Sequence, residues 1–382
     1  MRVKQDFIRQ DKSGRSEERI EKRSFTYGRN DRRPTSLILD PVESLNAADY
    51  ISYLKNNQDP TTIEVGRLHK LRILLRNETV GWVDSFIFLG GMTEIVGLLH
   101  RVMKVEWREE HEDQLLHEAL LCLKGLCTTD TAMQELEKVA DELFPALLAM
   151  LFDEEKKGPA EYTTRTIIVN VLFFYLSSAL NSPNLEERAR KILGYLSEPH
   201  TQSETVDFVM EMRIPRPYKL WAREVSNVTK EVFWIFLHRT NVVSRTTPDI
   251  TSSFTTRHFP RPRPPVPAAP YIGGVEWDAT TYLTAHLDLL NGLIASLPSR
   301  NTLRADLQAS GFEKVMGTLR TCKEKFYSGV HDGLRVWVAA AEEDGWDSRG
   351  VRENVEVRPK GEKKKGENVP KINLSLKEEF EW

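Results

Sequence analysis

The sequence predicts an all-α protein, an armadillo-type helical repeat solenoid with flexible N- and C-terminal segments. Three observations predict it. Apolar residues recur at helical spacing from Ala47 onward, as in Met92, Ile95, Val96, Leu99 and Val102, which fall on one face. Leucine-rich helices joined by short breaks return about every 40 residues, the period of armadillo and HEAT units. No stretch alternates polar and apolar residues as a half-buried strand would.

Taken in order, residues 1–46 are rich in Arg, Lys, Glu and Ser and offer few apolar anchors, so burial there cannot offset the entropy of ordering. They are expected to be a flexible or partly ordered arm. Residues 47–256 carry the main run of repeats. Gly90-Gly91 breaks one helix from the next, and Leu116, Ala119, Leu120, Leu123 and Leu126 then define a second apolar face. LFPALLAMLFDEEKKGP at 143–159 ends a helix on charge, glycine and proline. TTRTIIVNVLFFYLSSAL at 163–180 is apolar almost all round, which requires neighbours on every side. Residues 257–277 include a proline run that suits neither helix nor sheet and should form an extended connection. Asp278 is placed to cap the next helix, and helices continue over 278–341. From 342 to 382 the chain becomes charged and is expected to be a disordered tail.

The 53 Lys and Arg residues are balanced by 56 Asp and Glu, a net charge of −3 that gives no global attraction to phosphate polymers or lipid. Nucleic acid is therefore not an expected partner. Three cysteines, none in a CxxC pair, make neither a disulfide framework nor a structural zinc site and point to a reducing compartment. The most apolar stretch, Ile167 to Leu180, is shorter than the roughly 20 residues of a membrane span. The N-terminus lacks the apolar core of a secretory signal, so a cytosolic protein is expected.

No catalytic constellation stands out, and no cofactor or metal is expected. In HEDQLLHE, His111 and His117 stand six residues apart, about 240° around a helix, where a zincin pair needs four. Cys122 and Cys127 sit on a leucine-lined helix as small core residues. Gly90-Gly91 and Gly273-Gly274 lack the pattern of a phosphate loop and read as turns.

Long blocks of the chain resemble the regulatory region of diaphanous-related formins, the fungal ones most closely. They include LRNETVGWV at 75–83, WREEHEDQLLHEALLCLKGLCTT at 107–129, RPYKLWAREVSNVTKEVFWIFLHR at 216–239, PPVPAAPYIGGVEWDAT at 264–280 and GFEKVMGTLRTCKEKFYSGVHDGLRVWVAAA at 311–341. The resemblance implies an armadillo-type GTPase-binding and formin homology 3 region. Such a region folds back on the formin's own C-terminal autoregulatory helix and silences actin assembly until a GTP-loaded Rho-family protein displaces it. Actin is then met only indirectly, at the cell cortex and at sites of polarity or septation. Residues 1–46 depart from the Lys-, Trp- and Met-rich stretch of the fungal members. The residues present include no formin homology 1 or 2 region, so the chain is not expected to nucleate filaments and reads as a fragment, a truncated product or a short gene model.

Carried over residue by residue, the resemblance implies that Asn77 and Glu78 help contact the GTPase. The competing reading makes Asn77 a helix cap. The resemblance also implies an apolar groove for the autoregulatory helix, lined by helices at about 116–128 and 164–178. Ile168 and Val171 would form its floor, Lys124 and Thr128 its side, and Asp153, Glu154 and Glu155 its acidic rim. The competing reading places Ile168 and Val171 in the core. An armadillo scaffold for other cytosolic partners is the alternative function.

Overall fold

The computed structural model describes residues 46–155, 158–198, 215–245, 251–263 and 274–353. The arm at 1–45 and the tail beyond 353 lie outside the described residues. Among those described, all regular structure is helical. The helices are α1 (Ala47–Asn56), α2 (Val65–Asn77), α3 (Val80–Phe88), α4 (Gly91–Met103), α5 (Glu110–Leu126), α6 (Asp130–Leu151), α7 (Tyr162–Ser177) and α8 (Leu185–Leu196). They continue as α9 (Lys219–Glu231), α10 (Phe254–His258), α11 (Gly274–Ser296), α12 (Arg300–Ser310), α13 (Phe312–Leu319), α14 (Ser328–Glu343) and α15 (Arg349–Arg352). No single helix among them is long and apolar enough to cross a membrane. The bent pair α3 and α4 passes on length and composition only, with a 67° angle between its halves.

Local chemistry sets the ends. Asn46 N–H donates to the Asp49 carboxylate at the start of α1, and Glu109 N–H to Glu112 at the start of α5. Thr129 accepts from Ala132 N–H at the start of α6. Gly90, at φ 97°, takes the left-handed conformation that turns α3 into α4, and Gly311, at φ 104°, does so between α12 and α13.

The helices stack as a solenoid does, each on its predecessor. One layer runs α2, α5, α7, α11, α14, and a second runs α1, α4, α6, α8. The centre is α11, whose residues from Ala279 to Ser296 are buried but for the exposed Thr281. Gly292 lets α7 come close. A Cβ there would stand 3.1 Å from Leu176 and 3.3 Å from Phe173. Gly333 does the same for α14, where a Cβ would stand 2.9 Å from Leu287. The helices before and after the proline run thus share one core.

Three expected boundaries shift. The helix expected to begin at Asp278 begins at Gly274, because Glu276 in its first turn accepts the Trp234 indole N–H at 2.5 Å and anchors the extra turn. Of the connection expected over 257–277, residues 257–263 are fixed by packing, 274–277 are helical, and 264–273 lie outside the described residues. Phe259 is buried against Phe173, and Arg263 pairs with Asp288 at 2.6 Å. The disordered tail expected from 342 does not start there, since its charges are ion-pair partners. Glu343 takes Arg257 and His258. Asp344 takes Arg300 at 2.7 Å and the fully buried Arg304 at 2.6 Å.

Candidate functional site

The α2–α3 junction is where the sequence placed its first site. Asn77 closes α2 and Glu78 caps it, so both stand at the surface at the end of a helix. Asn77 does not cap α3. Thr79 does, its hydroxyl accepting from Trp82 N–H at 3.3 Å. The surface there runs unbroken from Arg76 to Gly81, with Ile73 and Val80 as its exposed apolar members.

Packing of α2 on α5 brings the second expected site alongside. Leu68, Leu71 and Leu75 form the buried stripe of α2, and Glu118 of α5 accepts from Arg72 at 2.8 Å and lies 3.0 Å from His69. At the far end, a Cβ on Gly125 would stand 3.5 Å from Leu75. The end of α2 with Asn77 and Glu78 therefore lies beside the end of α5 with Lys124 and, just beyond it, Thr128. Burial and the nearby Arg76 guanidinium lower the pKa of Lys124, whose ammonium sits 5.8 Å from the centre of the Phe174 ring. Two cations, one carboxylate, two apolar side chains and a hydroxyl on one rigid helix pair suit a protein partner.

The other half of the expected groove is not at the surface. Ile168 and Val171 are fully buried. By helical spacing they share a face with Thr164, which meets His117 of α5 at 2.8 Å, and with Tyr175, whose ring is 5.1 Å from Phe144 of α6. They fill the core between α5, α6 and α7, and the other face of α7 is covered by α11. Glu154 of the expected rim is engaged by Arg223 of α9. Of the expected groove residues, Lys124 and Thr128 remain accessible. A helix that is apolar all round announces burial on every side, but not which face a partner would need.

Nothing at this site suggests chemistry beyond binding. His117 bridges two helices, and burial lowers its pKa. Burial pushes the Cys127 thiol up to about 12 and Cys122 further, which suppresses the reactive thiolate in both. Among the described residues no His, Cys, Asp and Glu cluster could hold a metal. A polar cavity of about 300 Å³ lies between the end of α6, α7 and α9. Its buried Glu224, raised in pKa by that burial, already accepts from Arg165 at 3.2 Å and Tyr282 at 3.0 Å.

Residues 1–157, which carry the α2–α5 surface, match the model of the diaphanous GTPase-binding domain. The GTPase-binding protein rid1 of Schizosaccharomyces pombe is 33% identical over 309 residues, spanning 80% of this chain and 72% of that protein. The chain belongs to the diaphanous GTPase-binding domain family. No solved structure matches. The match to the diaphanous GTPase-binding domain begins at residue 1, so it takes in the arm whose composition set it apart from the repeats.

Proposed function

We propose that this chain binds a GTP-loaded Rho-family GTPase through the α2–α3 junction and the adjoining end of α5, and works as a non-catalytic regulatory module. The observation that carries the reading is that the diaphanous GTPase-binding match spans the surface where the exposed Arg76, Asn77, Glu78 and Val80 stand beside the half-buried Lys124. Acidic and basic groups flanking exposed apolar residues give a partner both steering and desolvated contact. The wider role is control of actin filament assembly in the cytoplasm, at the cortex and at sites of polarity or septation. In it the GTPase competes with the autoregulatory helix of a formin C-terminus, with Lys124 and Thr128 the surface residues nearest that contest.

The test is retention of the chain on immobilised Rho-family proteins loaded with a non-hydrolysable GTP analogue or with GDP, repeated with Glu78→Lys and Lys124→Glu. Preference for the GTP form, weakened in both variants, is the expected result. A formin autoregulatory peptide added to the same assay should compete. Equal retention in both nucleotide states would favour a general armadillo scaffold.

A further inference from the structure

Outside residues 1–157, α9 and α13 lie side by side with a groove between them, and both run the same way. At their start, Tyr218 N–H donates to the Ser310 hydroxyl at 3.1 Å, and the Trp221 ring lies 4.7 Å from that of Phe312. Beyond their ends, His238 N–H donates to the Thr321 carbonyl at 2.9 Å. The Trp221 indole N–H donates to His286 of α11 at 2.9 Å, which fixes the pair to the core. The groove holds about 440 Å³, within the range of small-molecule sites. Lys219, Arg223 and Lys230 reach it from one face of α9, and Lys314 reaches it from α13.

The charge of the groove has one sign. Lys219, Lys230 and Lys314 are exposed and make no ion pair among the described residues, while Arg223 bonds Glu154 and the Phe152 carbonyl and closes one side. No carboxylate lines it. Those on the two helices are engaged elsewhere: Glu224 with Arg165 and Tyr282, Glu231 with Tyr162, and Glu313 with Trp346 at 2.7 Å and Gln308 at 2.8 Å. The Ser226 hydroxyl adds a neutral donor, and the buried Ala222 and Val315 make a small apolar floor. Because both helices begin at the same end, their positive dipole ends reinforce each other there, beside Lys219 and Lys314.

We propose that this groove binds a soluble small polyphosphate of the inositol polyphosphate class. Ammonium and guanidinium groups without a competing carboxylate are the donor set that phosphoryl oxygens require. Lys219 and Lys230 are eleven residues apart on one helix, about 16 Å along its axis, and Lys314 stands on the facing wall. That spread outreaches a single phosphate, so the ligand carries several. The floor of Ala222 and Val315 suits the C–H face of a sugar-like ring, and donors on two facing walls suit a compact ligand better than a flat lipid surface. The chain's net charge of −3 does not oppose this, because charges beyond about 10 Å are screened and the local balance decides.

Titration calorimetry of the intact chain with inositol hexakisphosphate, at about 0.15 M salt, tests the proposal. Saturable binding of a single equivalent is expected, with inorganic phosphate at least about tenfold weaker because it cannot reach both walls. Lys219→Glu with Lys314→Glu should weaken binding of the hexakisphosphate at least about tenfold, since repulsion replaces attraction on both walls. Lys219→Arg with Lys314→Arg should retain it, and Lys55→Glu, at an exposed cation on α1, should change nothing. Should the charge-reversed variant melt early, Lys219→Gln with Lys314→Gln is read in its place, with a smaller loss expected. Absence of saturable binding overturns the proposal, as does parental affinity in the charge-reversed and Gln variants or an equal loss in Lys55→Glu. Retention of the chain on vesicles bearing a bisphosphorylated inositol lipid, without binding of the soluble anion, would assign the groove to a membrane and overturn it too.

Discussion

Glu78 and Ile168 show how differently two residues of one predicted site can stand. Glu78 sits at the surface as the cap of α2, so reversing its charge alters the contact proposed for it and little else. Glu78→Lys is expected to weaken GTP-dependent binding about tenfold, roughly 1.4 kcal/mol, with the melting temperature unchanged. Ile168 has no exposed surface. Ile168→Asp should destabilise the fold by several kcal/mol through an unpaired buried charge, seen as a lower denaturant midpoint. A variant that kept parental stability would return Ile168 to the surface. Asp344 makes the third case. Burial raises its pKa, but the hydrogen bonds of Arg300 and Arg304 outweigh that and hold it below the usual carboxylate range. A carboxylate depressed on folding contributes stability that is complete above its unfolded value near 4 and is lost as pH falls through the folded value. Asp344→Asn should therefore cost about 3 kcal/mol at neutral pH and flatten the acid limb of the stability profile, because Arg304 would be left buried without its partner.

Among the elements, the helices with one clean apolar stripe were legible in sequence. Met92, Ile95, Val96, Leu99 and Val102 are buried on α4 as their spacing required. What the sequence hid was pairing at a distance. The apolar surround of α7 is satisfied by α5 and α6 on one face and by α11, more than a hundred residues later, on the other. The charges after Ala341 looked like a solvated tail because their partners, Arg257, Arg300 and Arg304, lie some 40 to 90 residues upstream. Proline near 260 masked the same logic, since Phe259 and Arg263 are fixed by contacts that no local pattern contains. Ending the chain at Ala341 should accordingly lower the melting temperature by several degrees relative to ending it at Glu353, because the shorter chain loses Asp344 and the buried Val351. Equal melting temperatures would show that residues 342–353 add nothing to the core.

For the whole molecule, the solenoid has a division of labour. Residues up to 157 hold the GTPase-binding match and the exposed end of the α2–α5 pair. The later helices bury that region's far side and present a separate basic groove. The α2–α3 half of the proposed binding surface could be named from sequence because its residues are contiguous. Its neighbour on α5 was expected as part of a different site, since only packing of α2 on α5 places Lys124 beside Asn77 and Glu78. The central claim is that this surface recognises the nucleotide state of a small GTPase. Titration calorimetry of the intact chain against a panel of Rho-family proteins tests it most directly. We expect at least one member to bind at least tenfold more tightly with a GTP analogue than with GDP, and Glu78→Lys to reduce that preference. Binding that ignores the nucleotide across the whole panel, or a full GTP preference retained by Glu78→Lys and Lys124→Glu alike, would contradict the account.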